Sequence, residues 1–256
     1  MKNIYKVENL DKEQIFNFLN HGSYGRCYHY GNGFVLKQMK LTGEDALSEY
    51  DRDMITKNLK DLVGIKNNTF VFPTSLYLEN NYISSYLMPY ISGICLDDYP
   101  ENINVKELLE SLGYVYEDII NISNMGILSS DLLPRNMILD NDKKIKIIDV
   151  DFYSKFAHFN KDKILASNLS NFNYGILGYL MEYLPDRELM PKHVAEFLSS
   201  LLNKCCNGKD LKQIISTTDM VYFFYVIIDY IYTKLGTNNL TVYKVNDYMK
   251  SRYRKI

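Results

Sequence analysis

Four polar residues stand where phosphate chemistry could use them: Lys37, Asp131, Asn136 and Asp149. Lys37 lies in FVLKQM, a short strand-like run with apolar residues before and after the lysine. An ammonium on the inward face of a strand needs a carboxylate or a phosphate as counter-charge; on a solvent-facing edge strand it needs none. Asp131 and Asn136 are five apart in DLLPRN, and Asp149 closes the apolar run KIKII. Together they supply a base and oxygen ligands of the kind magnesium takes when it is shared with substrate phosphates. The alternative for Asp149-Val150-Asp151 is a turn capped by aspartates, the reading that suits Asp140 to Asp142. Ahead of Lys37, Gly22-Ser23-Tyr24-Gly25 sets glycines where backbone N–H groups can close over phosphate oxygens without a Cβ in the way. By itself that tetrapeptide is equally a plain glycine turn.

The elements that must position these residues follow from periodicity. GRCYHY and FVLKQM flank Asn32-Gly33, residues that tolerate positive φ, and predict a hairpin. The segment from Gly43 to Leu62 has Leu47, Tyr50, Met54 and Leu59 at roughly helical spacing. FVFPTSLYL and YISSYLMPYI, separated by Glu79-Asn80-Asn81, predict a second hairpin. From Asn102 the character changes. A long helix is expected over Val105 to Asn124, stopped by Gly126, followed by two short strands around Asp140-Asn141-Asp142. NYGILGYLMEYL, HVAEFLSSLL and VYFFYVIIDYIYTKL then read as helical. The expectation is an α+β chain with a small strand-rich N-terminal lobe (about 1–88), a hinge at 89–93 and a larger helical C-terminal lobe (about 94–256), with ligand sites between the lobes.

Composition removes several classes. Twenty-nine basic and 31 acidic residues leave a formal charge of −2, so no overall basic field points to nucleic acid or an anionic membrane. The run Met220 to Ile228 is too short to span a bilayer, and the charged N-terminus has no apolar secretion core. Cys27, Cys95, Cys205 and Cys206 form no C-x-x-C pair, and the four histidines show no metal-ligand spacing. A cytoplasmic protein is expected. The tail cluster Lys250, Arg252, Arg254 and Lys255 reads as a solvated helix end. Oligomeric state stays open.

Over roughly residues 15–235 the chain resembles the eukaryotic-type protein kinase fold. NHGSYGRCY resembles the glycine-rich loop, VLK the strand with the ATP-binding lysine, MPYISG the hinge, SSDLLPRN the catalytic loop, IIDVD the metal-binding Asp-Phe-Gly segment, and NFNYGILGYLMEYL the central helix of the C-lobe. The resemblance implies that Gly22, Ser23, Tyr24 and Gly25 cover the phosphates of ATP. Lys37 would pair the α- and β-phosphates and be held by a carboxylate of the N-lobe helix, with Glu49 first choice and Asp51 and Asp53 still open. Adenine would lie among Cys27, Val35, Ile138 and the gatekeeper Met88, its polar edge read by the backbone at Pro89 and Ile91. Asp131 would accept or orient the substrate hydroxyl, while Asn136 and Asp149 hold Mg2+.

The departures matter as much. Asn20 replaces the first loop glycine, Ser129-Ser130 the usual His-Arg, and Leu133 a phosphate-contacting cation, for which Arg135 is a nearby substitute. Asp151 stands where the family has glycine, as some aminoglycoside and choline kinases also have an acidic residue. Ser170 or Asn171 falls where an aspartate braces the catalytic loop, and no Ala-Pro-Glu follows Asp149. The leading expectation is an ATP- and Mg2+-dependent protein serine/threonine kinase. The alternatives are a weak pseudokinase serving as a nucleotide-binding or interaction module, and a small-molecule phosphotransferase.

Overall fold

A computed structural model describes residues 15–98 and 102–183, with Asp11, Glu13 and a few isolated positions beyond 191. The expected helices HVAEFLSSLL and VYFFYVIIDYIYTKL, Cys205-Cys206 and the basic tail lie wholly or largely outside the described residues. The described chain is α+β, with three α-helices and a five-stranded sheet. It divides into two compact units, Met1–Ile91 with Ile148–Lys155, and Ser92–Ile147 with Phe156–Ile256. The first unit thus takes in a short segment from beyond Ile147 that a single cut at residues 89–93 does not anticipate. No helix among the described residues is long and apolar enough to cross a membrane.

In the first unit, β1 (Ile15–His21), β2 (Gly25–Tyr30), β3 (Phe34–Met39), β4 (Ser75–Glu79) and β5 (Tyr82–Pro89) form an antiparallel sheet in the order β1-β2-β3-β5-β4. Both expected hairpins are present. Asn32 and Gly33 turn the first with φ of 63° and 78°, and Asn80 and Asn81 turn the second with φ of 51° and 71°. Register decides which side chains share a face. Cys27 lies opposite Lys37, Lys37 opposite Tyr86, and Val35 opposite Met88, so these five residues line one side. Leu36, Tyr77 and Leu87 form an apolar cluster with Ile15, Tyr30 and Phe34 packed against it.

The helix α1 runs over Glu49–Leu62, not from Gly43. Gly43 is at φ 100° in a turn closed by Ala46 N to Gly43 O, and the Ser48 hydroxyl accepts the Asp51 amide, which caps the helix at its true start. Phe70, Val71 and Phe72 are buried but precede β4, so the second hairpin is shorter than its apolar run.

The second unit contains β6 (Gly93–Cys95), α2 (Val105–Asn124), β7 (Ile127–Leu128), β8 (Met137–Asp140), β9 (Ile145–Ile147) and α3 (Lys161–Tyr183), while β10 (Ser154–Lys155) belongs to the first. The long helix has its expected bounds. Asn104 caps it through bonds from the Lys106 and Glu107 amides, and Gly126 ends it at φ 73°, where a Cβ would lie 2.6 Å from the Phe159 ring. One face of α2, from Leu108 through Leu112, Val115 and Ile119 to Ile122, is buried. Tyr116 meets Phe172 of α3 edge to face at 5.3 Å, and its hydroxyl donates to Asn173 at 2.7 Å. β6, β8 and β9 form a three-stranded antiparallel sheet that ends the strand pair just before Asp149.

Candidate functional site

Strand alternation turns Lys37 to the inner side of the first unit, where it is only 5% exposed. Its ammonium donates to Asp149 Oδ1 and, at 2.6 Å, to Asp151 Oδ2. The other oxygen of Asp151 accepts the Tyr86 hydroxyl at 2.6 Å, and its backbone carbonyl accepts Asn58 Nδ2 at 3.4 Å. Asp151 and Tyr86 are fully enclosed. Removing such charges from water costs several kcal/mol per ion, roughly, unless each is paired and bonded, and both conditions are met here. Burial pushes the Lys37 ammonium down, but Asp151 and then Asp149 outweigh it and hold the lysine above its ordinary value. Burial pushes the Asp151 carboxyl up against the pull of Lys37. Burial, then Asp151 and Asp149, push the Tyr86 hydroxyl well up, so it stays a donor. Asp149 is half-buried.

No carboxylate of α1 takes the place expected for Glu49. Glu49 and Asp53 are exposed, and Asp51 accepts the Ser48 hydroxyl at 2.6 Å. The cause is the cap. With the helix starting at Glu49, Glu49 and Asp51 fall in its first turn, where carboxylates complement the N-terminal dipole. The buried face of α1 instead carries Ile55, Asn58, Leu59 and Leu62. Lys37 draws its counter-charge from Asp149 and Asp151.

The glycine turn is tight: Gly22 N donates to Gly25 O at 2.9 Å. Gly22 and Ser23 are exposed, while the Tyr24 ring packs on Phe152 with centroids 4.6 Å apart. Gly25 is buried, and a Cβ there would lie 2.8 Å from Gln38 O and 3.3 Å from the Lys37 side chain. Cys27, Val35 and Met88 share the sheet face of Lys37. Burial raises the Cys27 thiol to about 11, with Lys37 opposing. Pro89 ends β5, Tyr90 N donates to Gly33 O at 2.9 Å, and Ile91 is the last residue before the chain enters the second unit. Ile138 is a half-buried residue of β8.

In the second unit, Asp131 and Asn136 meet directly. Asn136 Nδ2 donates to Asp131 Oδ2 at 3.0 Å and to its backbone oxygen at 2.9 Å, and Arg135 Nη2 donates to Asp131 Oδ1 at 3.0 Å. A 3₁₀ turn at Pro134–Asn136, with Asn136 N bonded to Leu133 O, folds the loop back to allow this. Because the amide nitrogen of Asn136 faces Asp131, its oxygen is the end left to ligate. An amide oxygen here and a half-exposed carboxylate at Asp149 are each the donor type magnesium prefers.

Asn168 of α3, which the sequence reading missed, holds this loop. Its oxygen accepts Ser129 N and Ser129 Oγ, each at 2.8 Å, and its nitrogen donates to Ser123 Oγ at 2.8 Å and Ile127 O at 2.9 Å. Asn171 and Ser170, the two expected candidates, are both exposed, and Asn171 Nδ2 donates to Ser129 O at 2.9 Å. The signal was available as Asn168-x-x-Asn171, two amides one turn apart on a largely apolar helix.

Backbone strain singles out two of the sequence candidates. Among the described residues six non-glycine positions have positive φ, and of these Asn32, Asn80, Asn81 and Lys143 are hairpin-turn residues. The others are Asp131 at 54° and Asp149 at 65°. Such conformations cost on the order of 1–3 kcal/mol and concentrate where geometry serves function.

No family model matches the chain. Two curated proteins of Dictyostelium discoideum are similar to part of it. Developmentally-regulated protein kinase 1 is 24% identical over 168 residues, covering 58% of this chain and 22% of that protein. A probable inactive serine/threonine-protein kinase is 26% identical over 157 residues, covering 59% of this chain and 13% of that protein. The chain therefore spans less than a quarter of either relative's length. At that distance, the sequence is kinase-like.

Proposed function

We propose that the chain transfers the γ-phosphate of ATP to a serine or threonine hydroxyl of a protein. The observation that carries this reading is the bond between Lys37 and Asp149, residues 112 apart in sequence that the kinase resemblance assigns to phosphate and metal binding. In this reading Lys37 orients the α- and β-phosphates, and the glycine turn at Gly22–Gly25 covers them with backbone N–H groups. Asp131, aimed by Asn136 and Arg135, takes the proton of the attacking hydroxyl as the new P–O bond forms and the bond to ADP breaks. Asn136 and Asp149 would each offer an oxygen to Mg2+, which would offset charge on the phosphates. The chain's contribution is positioning and charge stabilisation.

Incubation with magnesium, γ-labelled ATP and a basic acceptor protein tests this. Label on the protein or the acceptor, lost in Asp131→Asn and Asp149→Asn, is the expected result. Label that persists in both variants sinks the assignment.

Two observations favour a nucleotide-binding pseudokinase as the second reading. Lys37 is neutralised by two carboxylates, and one relative is itself named as inactive. Magnesium-dependent stabilisation by ATP without transfer would select it.

A further inference from the structure

Lys37 has two carboxylate partners with opposite surroundings. Asp149 is half-buried and bonds the ammonium through Oδ1. Asp151 is 0% exposed, and three elements hold it: β3 through Lys37, β5 through the Tyr86 hydroxyl, and α1 through Asn58 Nδ2 on its backbone carbonyl. A group so enclosed cannot swing out to meet a ligand without leaving buried donors unpaired, whereas Asp149 can exchange partners at the surface. The carboxylates of α1 take no part, since Glu49 and Asp53 are exposed and Asp51 is bonded to Ser48. We propose that Asp151, braced by Tyr86, is the positioning carboxylate of Lys37, holding the ammonium for nucleotide phosphates without any carboxylate from α1. The inference rests on the phosphotransferase reading for its nucleotide, but the ion pair it names does not. Asp151 also fills a position where glycine would leave Lys37 to Asp149 alone.

The test has one arm that needs no nucleotide. Melting temperatures of Lys37→Gln, Asp151→Asn and the double variant form a cycle, with a parallel cycle for Lys37→Gln and Glu49→Gln. Coupling is expected in the first and none in the second. The reverse overturns the proposal. The second arm measures KM for Mg-ATP and for histone as acceptor. Asp151→Asn is expected to raise KM for ATP roughly tenfold, the loss of one charge-assisted bond, and to leave the acceptor's KM unchanged. A merely structural role would not separate the two constants. Tyr86→Phe, which removes one hydroxyl and keeps every charge, should give the same split at smaller size and serves if Asp151→Asn folds poorly. Tighter ATP binding by Asp151→Asn would overturn the proposal by making Asp151 a competitor of the phosphates. A wild-type protein that neither binds nor turns over Mg-ATP overturns the phosphotransferase reading and the positioning role together, and the first cycle then reports on the ion pair alone.

Discussion

Asn168 and Ser129, 39 residues apart, are joined by two hydrogen bonds of 2.8 Å that both end on the Asn168 amide oxygen. The nitrogen of the same amide serves Ser123 Oγ and Ile127 O, so one enclosed side chain satisfies both edges of the turn that leads to Asp131. A carboxylate could not do this, because Ile127 O requires a donor. Asn168→Asp and Asn168→Ala should therefore each destabilise the protein by about 2–4 kcal/mol in urea titrations, from buried groups left unpaired. A loss under about 0.5 kcal/mol, the size of an ordinary surface change, would show that the loop is held by something else.

Arg135 is the complementary case. Its side chain is 59% exposed and donates to Asp131. Arg135→Ala should leave stability within about 0.5 kcal/mol of wild type, as exposed pairs usually do. Under the proposed function, kcat should fall roughly tenfold, because one charged bond that aims Asp131 is gone. An unchanged kcat would place Arg135 outside the reaction.

Two glycines of α3 should respond with opposite signs. A Cβ on Gly175 would lie 2.2 Å from Leu132 O, a backbone atom next to Asp131, whereas on Gly178 it would meet nothing within 4 Å among the described residues. Alanine gains up to about 1 kcal/mol over glycine in a helix interior. At Gly178 that gain should appear as a raised melting temperature. At Gly175 overpacking of about 1–3 kcal/mol should exceed it, and the displaced loop should lower activity as well.

High pH should loosen the first unit. Cys27 is raised from 9.0 to about 11, chiefly by burial, and Lys37 and Tyr86 are raised too. Each group holds its proton more tightly when folded than when unfolded. Its contribution is complete below the unfolded value and is lost as pH climbs through the folded one. Stability should therefore decline from about pH 9 upward, beginning with Cys27. At pH 8 the half-buried Cys27 thiol should resist iodoacetamide when followed by peptide mass spectrometry, because little of it is thiolate, and prompt alkylation would contradict its raised pKa.

The sequence was most readable where local rules act alone. Asn32-Gly33 and Glu79-Asn80-Asn81 marked their hairpins because few residues tolerate positive φ, and Asn104 and Gly126 bracketed α2 because caps are local chemistry. Helix α1 was drawn too long because Leu47 continues the apolar spacing, while the Ser48 cap that overrides it depends on side-chain geometry. The partner of Lys37 was misplaced for a different reason. Choosing among Glu49, Asp51 and Asp53 presumed that the charge came from the helix, and only the folded chain shows Asp151 arriving from 114 residues away. Asn168 was overlooked because a neutral amide does not announce itself as the equivalent of an acid.

The segment Ile148–Lys155 carries a consequence for how the protein is made. A ribosome releases the first 91 residues, Lys37 among them, long before either of its carboxylates exists. Until then the nascent sheet would have to bury an ammonium with no anion beside it, a penalty of several kcal/mol, roughly, that favours keeping the strand open. The first unit can close only after Lys155 has emerged, by which time nearly all of the intervening chain is available to fold. A fragment ending at Ile91 would remain frozen at that early stage, whatever its share of the sheet.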